Sequence, residues 1–441
     1  MMFPGHVRFV LDTLAAHGYA AYVVGGAVRD LLRGVTPDDY DAATDAEPEQ
    51  VMALFGTAAR PTGLRHGTVT VVCGGKCVEV TTFRRDGAYR DARHPDSVCF
   101  TRSIEEDLAR RDFTVNAMAM GSDGTLADPF GGREDLARGV LRCVGDPDAR
   151  FSEDALRILR ALRFAAVCGF SIENGTAAAL HEKRELLSAL AAERVFHEMT
   201  RIVRGEHICG ILLAYSDVLG VWIPEILPCV GFDQKSRFHI YDVWEHTVRA
   251  MAAAPNTAAL RWHLLFHDLG KPASFTLDGQ GRGHTYGHTA VSARMAAPIM
   301  RRLRFPNDLH ARIETLLAWH DRQFSPTRAD VLNVLSQIGA EAFFDLLDAK
   351  CADNAAKRPE GLEAAQKPWE DARAMARALL DEGACYTLSQ LAVDGNDALA
   401  LGLSGRAVGD ALRAALDAVM CGEVENERAA LVRFLEARKK T

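Results

Sequence analysis

The chain has 441 residues, enough for two to four domains with ample core. Hydrophobic residues make up 48% and charged residues 25%, the balance of a soluble protein, and no apolar run approaches membrane-spanning length. The net charge of -8 argues mildly against a generic nucleic-acid binder, yet local arginine clusters around a metal site can do what global charge does not. The N-terminus lacks the charge-then-apolar layout of a signal peptide, and the ten cysteines are scattered, so the expectation is a cytoplasmic protein with no membrane partner. Cys73 and Cys77 are the only close pair and have no matching second pair, which indicates neither a zinc site nor a disulfide framework.

The first 120 residues alternate short apolar runs with turns, which predicts a mixed α/β domain with a small sheet. The run Ala20–Val24 leads into Gly25-Gly26-Ala27-Val28-Arg29-Asp30, so the two glycines fall where a buried strand ends. Glycine there lets the backbone approach a bulky anion. Asp39-Tyr40-Asp41 follows, and the period of a strand puts both carboxylates on one face, about one metal ion's reach apart. The plainer alternative is a solvated acidic turn. Glu79 lies between Val78 and Val80, which point the opposite way; it is either a third carboxylate for that site or the polar face of an edge strand. Residues 84–107 are polar and without period, and read as a long mobile loop. Arg110-Arg111-Asp112-Phe113-Thr114 then leads into an expected strand at Val115–Met120. Arginine suits a triphosphate because its planar fork bonds oxygens in pairs, although Arg110 and Arg111 could equally be solvated loop charges and Asp112 an N-cap.

Asp123–Asp148 is rich in glycine, aspartate and proline and marks a boundary. Beyond it the apolar period is helical, and the rest reads as nearly all helix, with loops near Pro224–Pro228, Asp278–Gly287, Pro359–Pro368 and Asp394-Gly395. In the helix expected to open at Glu153, Asp154 and Arg157 are three apart and share a face. A carboxylate can accept from the exocyclic amino group of cytosine or adenine while an arginine donates to the adjacent ring acceptor; uracil and guanine present a carbonyl there and are repelled. An exposed i,i+3 salt bridge is the commoner fate of such a pair. In the second half, His246, His267-Asp268, His284, His288, His320 and a late Asp353 stand out, with His267 and Asp268 ending an apolar helix. A buried polar cluster would account for them, and so would a metal site.

These motifs carry a resemblance. Gly25-Gly26-x-Val28-Arg29-Asp30, Asp39-x-Asp41, Glu79-x-Thr81-Thr82-Phe83-Arg84 and Arg110-Arg111-Asp112-Phe113-Thr114-x-Asn116-Ala117 resemble the bacterial class II tRNA nucleotidyltransferases, the CCA-adding enzymes and related poly(A) polymerases. The resemblance implies a polymerase-beta-like α/β head with a mixed sheet, followed by all-α neck, HD and tail domains. The corresponding spans are 1–122, 123–225, 226–370 and 371–441. It implies Mg²⁺ on Asp39 and Asp41, with Glu79 as a supporting member. It implies nucleotide binding by Gly25, Gly26, Arg29, Arg111, Asp112, Asn116, Asp154, Arg157, Arg160 and Arg163, the Glu-Asp-x-x-Arg segment being the family's nucleobase-reading motif. Glu193-Arg194-Val195 and Glu198 resemble the helical motif that braces it. The implied partners are tRNA, CTP and ATP, and the implied reaction adds C, C and A to the tRNA 3′ end without a template, releasing pyrophosphate. A full-length loop at 84–95 favours the complete CCA activity over addition of CC alone. His246, His267-Asp268 and Asp353 resemble the HD phosphohydrolases, with His288 and His320 completing a two-metal version that would take a divalent transition metal. The tail from Leu388 resembles that of HD-bearing members and implies tRNA contact. The alternatives are a poly(A) polymerase, or a phosphohydrolase with a regulatory head.

Overall fold

The computed structural model describes residues 3–87, 98–236 and 239–439. The chain divides into two compact units, Met1–Pro224 and Glu225–Thr441.

The first unit opens with the helix Gly5–Ala16 and strands β1 (Ala21–Val24), β2 (Asp41–Thr44), β3 (Ala59–Gly63), β4 (Thr68–Cys73) and β5 (Lys76–Thr82). A short antiparallel pair follows, β6 (Arg84–Asp86) with β7 (Val98–Phe100), then β8 (Ala119–Met120) and β9 (Leu126–Ala127). Seven of these strands form one sheet in the order β3-β4-β5-β2-β1-β8-β9. It is mixed: β2 and β5 run parallel, and the other pairings are antiparallel. The alternation of side chains decides which residues meet which layer. Ala42, Val78 and Val80 pack with Val7, Leu11 and Leu14 of the first helix, while Ala43 packs on the other face with Phe83, Ile104 and Leu108. Asp41 and Glu79 share that second face, because each alternates with a residue committed to the first core.

Two expectations are corrected here. The span 84–107 is not one loop: its ends pair as β6 and β7, and Ile104–Ala109 is a helix capped by Ser103, whose side chain accepts from Glu106 N. Residues 88–97 lie outside the described residues. The strand expected at Val115–Met120 is only Ala119–Met120, preceded by a 3₁₀ turn at Thr114–Asn116. Thr114 and Asn116 spend their side chains on Asp135 and Asp112, and such bonds favour a turn over a ladder.

After β9 the unit becomes helical, with Pro147–Glu153, Leu156–Cys168 and Ala192–Val203 bordering the site; a two-residue parallel pair, Val140–Leu141 with Ser171–Ile172, is the exception. Among the described residues the regular structure of the second unit is helical apart from a hairpin, Thr276–Leu277 with Gly283–His284. Its long helix Arg328–Ala355 is kinked at Gly339, whose φ of 77° no side-chain-bearing residue adopts readily. The loop expected at Pro359–Pro368 ends early, because the helix Leu362–Asp381 contains Pro368. A proline inside a helix costs about 3 kcal/mol. Burial of Trp369, Ala372, Ala376 and Leu379 on the same helix outweighs it, at about 1.5–3 kcal/mol for each large apolar side chain.

Candidate functional site

β1 is hydrogen-bonded to β2 with Val24 opposite Asp41, so the Gly25-Gly26 turn leaves the sheet beside that carboxylate. Gly25 has φ 73°, ψ -138°, and a Cβ there would stand 3.0 Å from Arg111 Nη1. Positive φ and the close guanidinium together demand glycine. On the other side of β2, Asp41 is opposite Glu79 in the parallel register. Asp39, just before the strand, completes a group of three carboxylates. Desolvation, then the charges of Glu79 and Asp39, push the Asp41 carboxyl up to about 6, with Arg111 opposing them. Asp41 is nevertheless open to solvent on one side. Crowded acceptors of this kind, short of positive charge and accessible, fit a hard divalent cation.

Behind them runs a continuous polar network. Arg29, buried, donates to both oxygens of Asp30 at 2.9 and 2.8 Å and to Asn116 Oδ1 at 2.7 Å. Asn116 passes the chain on to Asp112 Oδ1 at 3.1 Å, and Arg160 Nε donates to Asp112 Oδ2 at 2.8 Å. Burial alone would raise the Asp112 carboxyl; the charge of Arg160, with hydrogen bonds from Asn116 and Arg160, outweighs it and holds the group down at about 2. Arg163 pairs with Glu198 at 2.8 Å, and desolvation lowers its guanidinium to about 10 although Glu198 opposes the shift. The guanidinium carbons of Arg29, Arg160 and Arg163 lie 5.0, 5.4 and 4.2 Å from the centroid of one ring, Phe164. Arg111 is held by Asp107 at 3.3 Å. The first unit therefore sets three carboxylates beside a glycine turn and a bank of fixed arginines, an arrangement suited to a metal-bound polyphosphate.

The expected base-reading pair is arranged differently from the sequence reading. The helix does not run through Glu153: Pro147–Glu153 ends there, Asp154 is extended (φ -140°, ψ 102°), and the next helix starts at Leu156. Asp154 Oδ1 takes the Leu156 amide at 3.1 Å, a turn that a short carboxylate favours over continued helix. Asp154 and Arg157 thus do not share a helix face. Arg157 is buried, bonding Glu153 Oε2 at 2.7 Å and the carbonyls of Arg150 and Arg110 at 3.1 and 2.9 Å. Asp154 turns to Arg194 at 3.5 Å. With Arg163–Glu198, that contact ties the helix Ala192–Val203 to this segment, as the bracing motif implied. Glu153, the first residue of the Glu-Asp-x-x-Arg segment, holds both Arg150 (2.6 Å) and Arg157.

In the second unit, five helices bring the histidines together. His246 lies on Val243–Ala253, His267 and Asp268 follow Ala258–Phe266, His288 opens His288–Arg302, His320 closes Asn307–Trp319, and Asp353 lies on Arg328–Ala355. His246 Nε2 is 2.9 Å from Asp353 Oδ1 and 3.4 Å from Asp268 Oδ2; His267 Nε2 is 3.1 Å from Asp268 Oδ2. His288 Nε2 reaches Asp268 Oδ1 at 3.3 Å. One atom each of His246, His267 and Asp268, and likewise of His267, His320 and Asp353, fall within 4.8 Å of one another. Three of the rings are anchored alike: Nδ1 faces a backbone carbonyl, that of Ala356 for His246, Leu264 for His267 and Thr285 for His288. That leaves Nε2 to face inward, the usual posture of a metal-ligating histidine. Burial would lower His267, but Asp268 and Asp353 outweigh it and push the ring up to about 10. His284 stays out of the cluster, bonded to Asp278 and stacked on Tyr286. Sequence reasoning missed His263, fully buried, with Nε2 3.2 Å from His320 Nδ1. Its position four residues before His267, on the same helix face, was the available signal.

Similarity to known proteins runs along most of the chain. A family model for the poly A polymerase head domain matches residues 21–142, and one for a probable RNA- and SrmB-binding site of polymerase A matches residues 169–228. The CCA-adding enzyme of Geobacillus stearothermophilus is 36% identical over 440 residues, covering 98% of this chain and 96% of that protein. The CCA-adding enzyme of Lactobacillus delbrueckii subsp. bulgaricus is 34% identical over 432 residues, covering 97% of this chain and 96% of that one. Among solved structures, the Bacillus stearothermophilus CCA-adding enzyme in complex with CTP superposes with a TM-score of 0.73 at 33% identity, covering 100% of this chain and 98% of that one. The fold extends to the Thermotoga maritima CCA-adding enzyme complexed with tRNA, at a TM-score of 0.59 and 19% identity, covering 98% of this chain and 95% of that one. A relation of this identity along nearly the whole length places the chain in the CCA-adding enzyme family of nucleotidyltransferases.

Proposed function

We propose that the protein adds C, C and A in turn, from CTP and ATP, to the 3′ end of tRNA without a nucleic-acid template, releasing pyrophosphate. The observation that carries this reading is the triad of Asp39, Asp41 and Glu79 beside Gly25, in a chain related to CCA-adding enzymes along its length. Asp39 and Asp41, supported by Glu79, are the residues that would hold Mg²⁺, which when bound offsets charge on the reacting oxygens. Arg29, Arg111, Arg160 and Arg163, fixed by Asp112, Asn116 and Glu198, form the triphosphate side. Phosphoryl transfer of this kind needs chiefly positioning and charge neutralisation from the protein. The division into head (1–122), neck (123–225), HD (226–370) and tail (371–441) fits these roles. No helix among the described residues is long and apolar enough to cross a membrane.

The test uses a tRNA transcript lacking its last three nucleotides, with CTP and ATP supplied singly and together. Addition that stops after three residues, two with CTP alone, supports the proposal. A long ladder of A means a poly(A) polymerase, and no addition at all moves the activity to the second unit.

Because the Asp41 carboxyl is raised to about 6, protons compete with the cation there as pH falls. Mg²⁺ affinity should be flat above neutrality and fall as pH drops through about 6; titrations at several pH values check this, and a flat profile would remove Asp41 from the cation site.

Base choice is assigned to Asp154 and Arg157. Asp154→Ala should loosen the selection of C and A over U and G with little change in stability, since its contacts are one amide and a 3.5 Å ion pair. Arg157→Ala should do so at a cost of about 1–3 kcal/mol, because it removes the donor to Glu153 Oε2 and to the carbonyls of Arg150 and Arg110, although Arg150 still holds Glu153. Competition assays with all four nucleotides read the first effect and denaturant unfolding the second; unchanged selectivity in Asp154→Ala would return it to a purely structural part.

A second reading concerns the histidine cluster. The three rings anchored through Nδ1 favour an HD-type centre in which His246, His267, Asp268 and Asp353 hold one divalent transition metal. His288 and His320 would serve a second. Imidazole and carboxylate together suit Mn²⁺, Fe or Ni²⁺, and such a centre supplies an activated water for phosphoester hydrolysis.

A further inference from the structure

Both carboxylates of the histidine-rich centre carry a lysine. Lys271 Nζ lies 2.6 Å from Asp268 Oδ2, and Lys357 Nζ lies 2.7 Å from Asp353 Oδ2. The two contacts differ in whether the lysine shares its oxygen with the histidines. Asp353 turns Oδ1 toward His246 and spends its outer oxygen, Oδ2, on Lys357. Asp268 does the reverse: Lys271 sits on Oδ2, the same oxygen that faces His267 Nε2 at 3.1 Å and His246 Nε2 at 3.4 Å. Lys271 therefore occupies the oxygen that a metal held by those two rings would need.

The contact is an ion pair without hydrogen-bond geometry. Asp268 Oδ2 and His267 Nε2 have no hydrogen-bond partner, although both are buried. The ammonium instead donates to Gln234 Oε1 at 2.8 Å, and Gln234, itself buried, is fixed in turn by donating Nε2–H to the Tyr241 carbonyl. Lys271 thus has two stations: a carboxylate facing the ligand cage and a neutral amide oxygen beside it. A buried carboxylate left without a cation is costly. A dication set against an ammonium 2.6 Å from the shared oxygen is opposed by its charge.

We propose that Lys271 is a resident placeholder cation. It holds the cage-facing oxygen of Asp268 while no metal is bound, so the second unit folds metal-free. It yields that oxygen to a divalent metal by withdrawing onto Gln234. The inference rests on the reading of this cluster as a metal centre. It assigns Lys271 and Gln234 opposite effects on metal affinity: the lysine opposes binding, and the glutamine favours it by giving the ammonium somewhere to go.

The full-length protein, Lys271→Met and Gln234→Met are compared by calorimetric titration with Mn²⁺ and by thermal unfolding with Mn²⁺ or with EDTA, with His246→Ala as the control for adventitious binding. The parent should unfold at the same temperature in EDTA as without it. Lys271→Met should bind Mn²⁺ at least about 10-fold tighter, the size of effect typical of groups that contact a metal's ligands, and its unfolding temperature should become dependent on metal. Gln234→Met should bind several-fold more weakly than the parent. Equal or weaker binding by Lys271→Met overturns the proposal, as does a parent that loses stability in EDTA. Should Lys271→Met not fold even with Mn²⁺ present, Gln234→Met decides: unchanged or tighter binding there overturns it. If no variant binds Mn²⁺ beyond the His246→Ala level, the metal reading itself fails, a result distinct from measurable binding that is indifferent to Lys271.

Discussion

Replacing Asp41 by alanine should lower nucleotide addition by about 10³-fold or more while leaving tRNA binding in place. Asp41 lies where three constraints meet: Val24 opposite it leads into the glycine turn, Glu79 faces it from the parallel strand, and Asp39 stands two residues before it. Desolvation, and then the charges of Glu79 and Asp39, push its carboxyl up further than Arg111 can offset. Removing that side chain relieves repulsion, so the fold should survive or gain slightly. The loss would fall on the chemical step, because a triphosphate and a 3′-hydroxyl can still meet but the charge between them is no longer compensated. Single-turnover addition measures the rate, and filter binding measures tRNA retention. Turnover within about tenfold of the parent would move the reacting centre elsewhere.

Asp112→Ala should destabilise the first unit by about 3–5 kcal/mol, the cost of removing one partner from a buried ionic network. Its two oxygens serve Arg160, Asn116 and the Phe113 amide, and Asn116 in turn holds Arg29. Alanine would leave the partly exposed Arg160 guanidinium without its carboxylate and release Asn116. Asp112→Asn keeps an acceptor but not the charge, and should cost roughly half as much. Denaturant unfolding of both variants gives the comparison; a loss under about 1 kcal/mol for alanine would show the network to be dispensable. The pH dependence follows from the direction of the shift. The carboxyl is held at about 2 in the folded protein against an ordinary 3.8, so its contribution is complete above the ordinary value and disappears as pH falls toward 2.

Much of the site was legible because strand alternation and glycine carry geometry directly. Glu79 could be set on the face opposite Val78 and Val80, and the strand end at Gly25 could be read from the apolar run before it, but only the parallel register puts Glu79 beside Asp41. The break at Asp154 was not legible, because the apolar spacing from Phe151 to Ala165 runs straight through it. One aspartate bonding its own neighbour's amide leaves no mark on a helical period. The short elements within 84–107 escaped for a related reason: three-residue strands and a six-residue helix offer too few positions for a pattern. Helical periodicity in the second half was sound, yet it spoke only of which residues are buried. His263 was therefore passed over, and only the packing of its helix against Asn307–Trp319 puts it beside His320. Lys271 and Lys357 were equally silent, since a lysine three or four residues from an aspartate is common on any exposed helix.

The ring of Phe164 bears on how an anionic substrate would be received. Three cations converge on one uncharged wedge, each also tethered to a carboxylate or an amide. Like charges brought so near repel, and folding has already done the work of assembling them. An arriving triphosphate would then find its counter-ions waiting, with no side chains to gather and little order left to impose. In the empty protein Asp30, Asp112 and Glu198 offset the repulsion among these arginines, and the cluster should tighten further whenever an anion enters.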